Sequence, residues 1–172
     1  TLANASGQYA TLVSVDSTNV TANIKGDLPT VDKKVQVGGT GKDATDAKLG
    51  DTLTFTLTST IPDMSAYDTY PFNFKDTLSK GLTYGDITSV TVEGVDAPLV
   101  KDTDYTVTTT PAAAGNTLLT VGMTDFKNKQ QANAGKKITV TYTATLNENA
   151  VVGGAGNTNS AKIQYSNDPS TN

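Results

Sequence analysis

The stretch KKITVTYTATL, residues 136–146, places Ile138, Val140, Tyr142, Ala144 and Leu146 at alternate positions, with threonine between them. Period two over a run of this length marks a β-strand with one buried face. DTLTFTLTST (51–60) repeats the pattern with Leu53, Phe55 and Leu57, and shorter pieces do so at Val90 and Val92 and at Tyr105 and Val107. Turn-forming clusters separate these runs: GGTGKDATDAKLGD (38–51), KGLTYGD (80–86), VEGVDAP (92–98), PAAAGN (111–116), NKQQANAGK (128–136) and VGGAGN (152–157). Strands and turns at this spacing predict an all-β sandwich. TIPDMSAYDT (60–69) is the one helical candidate, and a loop between strands is its simpler reading. No internal repeat is present.

Composition narrows the chemistry. Of 172 residues, 36% are hydrophobic and 17% charged, while threonine takes roughly one position in six, far above ordinary usage and favourable to strands. There is no cysteine and no histidine, which removes disulfides, thiolate nucleophiles, the usual general base and the commonest metal ligands. The thirteen basic residues are all lysine and the net charge is -4, so no footprint for nucleic acid or an anionic membrane is expected. No apolar run is long enough for a spanning helix, and the opening TLANASGQYATL lacks the basic and apolar regions of a signal peptide. No cofactor and no metal is expected. The acidic loop DATD (43–46) reads as a solvated turn, since it lacks regular calcium-loop spacing.

Residues 1–28 stand apart. YATLVSV and NVTANI read as two short strands followed by the linker-like GDLPT, so the segment is either the tail of a preceding domain or a set of edge strands plus linker. Residues 29–169 form the predicted domain, and 170–172 the start of another linker. Both ends suggest a portion of a longer chain.

Strand parity identifies polar residues on apolar faces. In PTVDKKVQV, Lys33 shares a face with Val31, Val35 and Val37, while Lys34 points away. In YPFNFKDTL, Asp76 shares a face with Phe72, Phe74 and Leu78. In NTNSAKIQYSN, Asn159 and Asn157 share a face with Ala161, Ile163 and Tyr165. Each is costly to bury alone, whereas together they can satisfy one another. Desolvation lowers a lysine's pKa and raises that of a carboxylic acid. A buried Lys33 could therefore be a neutral amine beside a protonated Asp76, able to attack the Asn159 carboxamide, form a Lys–Asn isopeptide bond and release ammonia. A single-residue bulge would reverse the parity, and the competing lysine, amide and acid are Lys34, Asn157 and Glu148. The ordinary readings are a snorkelling lysine and turn residues.

At these same residues the sequence resembles the backbone subunits (major pilins) of sortase-assembled Gram-positive pili, specifically a middle domain of the immunoglobulin-like, collagen-adhesin A type. The resemblance rests on LPTVDKKV (28–35), GDTLTFTLTSTIP (50–62), FKDTLSKGLTY (74–84), DYTV (104–107) and GKKITVTYTATLNENAVVGGAGNTNSAKIQYSNDP (135–169). It implies an immunoglobulin-like β-sandwich with an intramolecular isopeptide bond between first and last strands, with Lys33 as the amine, Asn159 as the amide and Asp76 as the proton-shuttling acid. The strands carrying Lys33 and Asn159 are expected to be neighbours. The resemblance further implies a structural shaft domain at the cell wall or pilus surface, joined to neighbouring pilin subunits by sortase. No LPxTG-type sorting signal, hydrophobic tail or pilin-motif lysine is found in the sequence. Self-directed bond formation aside, the chain is not expected to be an enzyme. A ligand-binding module of a surface adhesin is the alternative, and the absence of tryptophan argues against a binding platform. A glycosidase would need a pair of carboxylates that nothing in the sequence singles out.

Overall fold

The computed structural model describes residues 13–17, 29–37, 47–151 and 157–165. Among the described residues nine strands run in the order β1 (Val13–Ser17), β2 (Asp32–Val37), β3 (Thr52–Thr60), β4 (Phe72–Leu78), β5 (Leu82–Val92), β6 (Tyr105–Pro111), β7 (Thr117–Met123), β8 (Lys137–Leu146) and β9 (Asn157–Tyr165). They form two sheets, ordered β1-β9-β4-β7-β6 and β2-β3-β8-β5. Every pairing is antiparallel except β1 with β9, which is parallel. The result is the expected immunoglobulin-like sandwich.

Alternation in the sequence becomes the inside and outside of the layers. Leu53, Phe55 and Leu57 of β3, Phe72, Phe74 and Leu78 of β4, and the even-numbered positions of β8 from Ile138 to Leu146 are all buried. Their threonine neighbours face outward, and β3 and β8 pair them directly: Thr54 with Thr143, Thr56 with Thr141 and Thr58 with Thr139. β-Branched residues suit such a pleated, half-exposed face.

Three segments differ from their sequence reading. The strands carrying Lys33 and Asn159 are not paired neighbours, because β2 belongs to one sheet and β9 to the other. Parity specifies which face a residue uses, and both sheets turn their apolar faces to the same core. KGLTYGD (80–86) is mostly strand: only its first residues turn, and β5 continues through Gly85 by register shifts between Tyr84 and Ile87 and again before Ser89. NKQQANAGK (128–136) contains the end of a short helix, α1 (Phe126–Gln130), and a 3-10 turn (Gln131–Asn133). Tertiary packing favours that helix, since Phe126 stacks on Phe72 with ring centroids 4.5 Å apart. Residues 61–71 form a loop, as the simpler reading had it. Gln131 accepts a hydrogen bond from the Met64 backbone at 2.7 Å, and Lys127 donates to the Tyr67 carbonyl.

The β4–β5 turn is pressed against Ala150 and Asn157. A Cβ on Gly81 would lie 2.2 Å from Asn157 Oδ1 and 2.6 Å from Ala150 Cα. Gly81→Ala is therefore expected to lower stability by about 1–3 kcal/mol, measured by urea denaturation. An unchanged midpoint would show that the turn has room to withdraw.

Candidate functional site

Four strands bring four polar side chains to the middle of the sandwich. Lys33 lies on β2 opposite Leu57 of β3, sharing the inward side with buried Val31. Its Nζ is 5.1 Å from the centroid of the Phe55 ring. Phe55 in turn stacks on Tyr142 of β8, its cross-strand partner, at 5.1 Å and 13°. From the other sheet, Asp76 on β4 stands between Leu119 of β7 and Ala161 of β9. Asn159 is two residues before Ala161 and so shares its face, opposite Leu78. One sheet thus supplies the lysine and the tyrosine, and the other the acid and the amide.

These groups form one hydrogen-bonded chain. Lys33 Nζ donates to both carboxylate oxygens of Asp76 at 2.5 Å. The Tyr142 hydroxyl donates to Asp76 Oδ2 at 2.5 Å. Asn159 Nδ2 donates to Tyr142 Oη at 2.9 Å. The Lys33 side chain is 0% exposed and that of Asp76 1%, and Asn159 is 1% exposed. Asn159 Oδ1 is buried with no hydrogen-bond partner. That oxygen is where negative charge would build if a nucleophile added to Cγ.

Burial changes what these groups can do. It lowers the Lys33 pKa from 10.5 to about 8, with the charge and hydrogen bonds of Asp76 opposing the shift. By that value about a tenth of the lysine is neutral near pH 7. Burial, reinforced by Asp76, raises the Tyr142 hydroxyl well above 10, so it keeps its proton at neutral pH.

The arrangement discriminates among the sequence candidates. Lys33 contacts Asp76 directly and Asn159 joins them through the Tyr142 hydroxyl, whereas Lys34 and Glu148 are exposed. Asn157 is buried, but its amide is engaged elsewhere: its Oδ1 accepts from the Val151 backbone at 2.8 Å and its Nδ2 donates to the Val151 carbonyl at 3.4 Å. Sequence reasoning placed Tyr142 inward without giving it a role. The available signal was its hydroxyl, since a tyrosine at a core position of a central strand needs a hydrogen-bond partner. The DATD loop, the second of the two N-terminal strand candidates (NVTANI), the last residues of the predicted domain (166–169) and the linker at 170–172 lie outside the described residues. Among the described residues no cluster of acidic side chains could hold a metal ion, and no helix is long and apolar enough to cross a membrane.

The fold and this buried chain define an immunoglobulin-like domain with a lysine, an acid and an amide interlocked between its sheets. The chain belongs to the family of Gram-positive pilin backbone subunits: the family profile described as Gram-positive pilin backbone subunit 2, Cna-B-like domain, matches residues 49–169. That description is of the B type, where the sequence resemblance pointed to the A type; the immunoglobulin-like sandwich serves both. Asp76, Tyr142 and Asn159 fall inside the match and Lys33 precedes it. Among solved structures, the pilus backbone RrgB of Streptococcus pneumoniae is 26% identical with a TM-score of 0.58, over 83% of this chain and 54% of that one. Full-length RrgB gives 26% and 0.59, over 86% of this chain and 25% of that one. The full-length major pilin SpaD of Corynebacterium diphtheriae gives 27% and 0.50, over 68% and 26%. The chain therefore spans about half of the first of these structures and about a quarter of the full-length pilins. No curated protein sequence matches it.

The depressed lysine sets a pH dependence in protein that has no cross-link, such as Asn159→Ala. Above about pH 8 the folded lysine is neutral, while the unfolded one holds its proton up to 10.5. The unfolded state then binds more protons, so stability rises with pH and is lost again as pH falls through 8. Between pH 8 and 10 the Asn159→Ala protein should gain ~2 kcal/mol, measured by denaturant titration. The Asn159→Ala/Lys33→Met protein should lack this gain, and equal slopes would place the titrating group elsewhere.

Proposed function

We propose that this chain is a load-bearing shaft domain of a Gram-positive surface pilus, locked by an isopeptide bond that it forms between Lys33 Nζ and Asn159 Cγ. The observation that supports this is the continuous buried hydrogen-bond chain from the Lys33 amine through Asp76 and the Tyr142 hydroxyl to the Asn159 amide. In the starting pair, Lys33 carries a proton that Asp76 can accept across 2.5 Å, which yields a neutral amine and a protonated acid without any exchange with solvent. The amine then adds to the Asn159 carboxamide, and the Cγ–Nδ2 bond breaks as the Nζ–Cγ bond forms. Ammonia leaves, and the domain is its own single-turnover substrate.

The bond would join two strands that share no backbone hydrogen bonds. Its loop spans residues 33–159, so loop closure by analogy with a disulfide stabilises by about 5 kcal/mol. Mechanical effect follows from placement. Tension entering before Lys33 and leaving after Asn159 passes directly from β2 to β9, and the pairings within β3 to β8 are removed from the load path. β1 pairs along β9 with Val15 opposite Asn159, which supports treating this part of residues 1–28 as an edge strand of the same domain, with residues 29–169 as its body.

In the assembled fibre, neighbouring pilin subunits are the partners, joined by sortase and held at the cell wall. The ligand-binding reading lacks a surface to carry it: among the described residues the exposed large hydrophobics are Val95, Val100 and Val151, too few and scattered for a recognition patch.

Intact mass tests the cross-link. The folded protein is expected to be lighter than its sequence by one ammonia, Lys33→Ala to show the full mass, and Lys34→Ala to keep the deficit. A wild-type protein of full mass would end the isopeptide reading. Asp76→Ala is expected to fold without the cross-link, with a lower melting temperature and the full mass, because Asp76 is the group that takes the proton from the buried Lys33 ammonium and so frees the attacking amine. An Asp76→Ala protein already lacking ammonia would assign the acid's role to another group.

A further inference from the structure

A proton must travel from the attacking nitrogen to the departing one, and the two lie at opposite ends of the buried chain. Asp76 touches Lys33 directly, yet the hydrogen bond found at the Asn159 amide nitrogen is with Tyr142 Oη, 2.9 Å away. The same hydroxyl donates to Asp76 Oδ2. Tyr142 is held rigidly for this: it is fully buried, stacked on Phe55 and set in a central strand between Phe55 and Ile87.

We propose that Tyr142 is a catalytic residue of isopeptide formation, relaying a proton from Asp76 to the Nδ2 of Asn159 so that it departs as ammonia. This rests on the cross-link reading above and adds to it a fourth participant on the leaving-group side. The step balances. Lys33 begins as an ammonium and gives one proton to Asp76, and the neutral amine adds to Cγ, placing negative charge on Oδ1. As the adduct collapses, Tyr142 gives its hydroxyl proton to Nδ2 and takes the proton held by Asp76. The Cγ–Nδ2 bond breaks with its electron pair on nitrogen, and ammonia forms. Nζ sheds its second proton to Asp76 as it becomes the amide nitrogen, and ammonia carries that proton out as ammonium. Asp76 and Tyr142 end in the states in which they began, and no other reactant is needed.

The hydroxyl is the right device for this position. It is an acceptor toward Nδ2 and a donor toward the acid at once, so reversing both hydrogen bonds moves a proton along the chain with no heavy-atom displacement. A carboxylate in contact only with Lys33 has no such path to the leaving nitrogen.

The test is the time course of ammonia loss, followed by intact mass after a pulse of cell-free synthesis, in wild type, Tyr142→Phe and protein carrying 3-fluorotyrosine at position 142. Tyr142→Phe is expected to fold and to cross-link at least tenfold more slowly than wild type, while Asn159→Ala and Asn159→Ala/Tyr142→Phe melt within a few degrees of each other. 3-Fluorotyrosine keeps the ring and hydroxyl in place and makes the phenol more acidic, so it should accelerate the loss. A structural hydroxyl would leave that rate unchanged. Cross-linking of Tyr142→Phe at the wild-type rate overturns the relay. Should Tyr142→Phe fail to fold, the fluorotyrosine rate decides, and no acceleration overturns the relay. A wild-type chain that never loses ammonia overturns the cross-link reading itself, a distinct result.

Discussion

Two opposite charges buried between two apolar sheets are the constraint around which this domain is organised. Lys33 and Asp76 are each nearly inaccessible to water and lie in direct contact. Removing either would leave the other buried and uncompensated, at a cost of about 3–5 kcal/mol in comparable pairs. The pair therefore fixes how the sheets face one another: β2 must lie over β4 for either residue to be tolerated inside. Hydrophobic packing alone would accept many relative placements of two apolar faces, and this contact selects among them.

The neighbouring side chains answer the demands of that pair. Asp76 has four lone-pair positions to satisfy, and Tyr142 supplies a donor beyond those of Lys33. Phe55 offers its ring to the lysine, where the aromatic face favours a cation and still accommodates a neutral amine. Asn159 binds through its nitrogen and leaves its carbonyl oxygen without a partner. A buried unmet acceptor costs about 1–3 kcal/mol, and here it belongs to the group on which the proposed reaction acts. The site is stable enough to assemble and incompletely satisfied at the atom where charge would build.

In the proposed reading, reactivity and mechanics share one geometry. Because β2 and β9 belong to different sheets, what resists their separation under load among the described residues is packing and this buried chain. A covalent bond placed there adds most where hydrogen-bonded ladders contribute nothing. The outward faces of β3 and β8, lined by paired threonines, carry no comparable chemistry.

Much of this was legible in the sequence. Alternation through 51–60 and 136–146 fixed the strands, since period two reports directly on a half-buried sheet. Parity alone put Lys33, Asp76 and Asn159 on inward faces, and the resemblance to pilin backbone domains named the same three residues. Parity is a local property, however, and does not say which sheet a strand joins. Only the tertiary structure decided that β2 and β9 lie across the core from each other, that Asn159 and not Asn157 joins the buried chain, and that Tyr142 stands between Asn159 and the acid. Asn157 and Asn159 have identical parity, and the choice between them came from the Val151 backbone, which engages the Asn157 amide. The short helix at Phe126 was hidden for the same reason: its five residues have too little periodicity to register, and it is held by an aromatic contact with a strand more than fifty residues away.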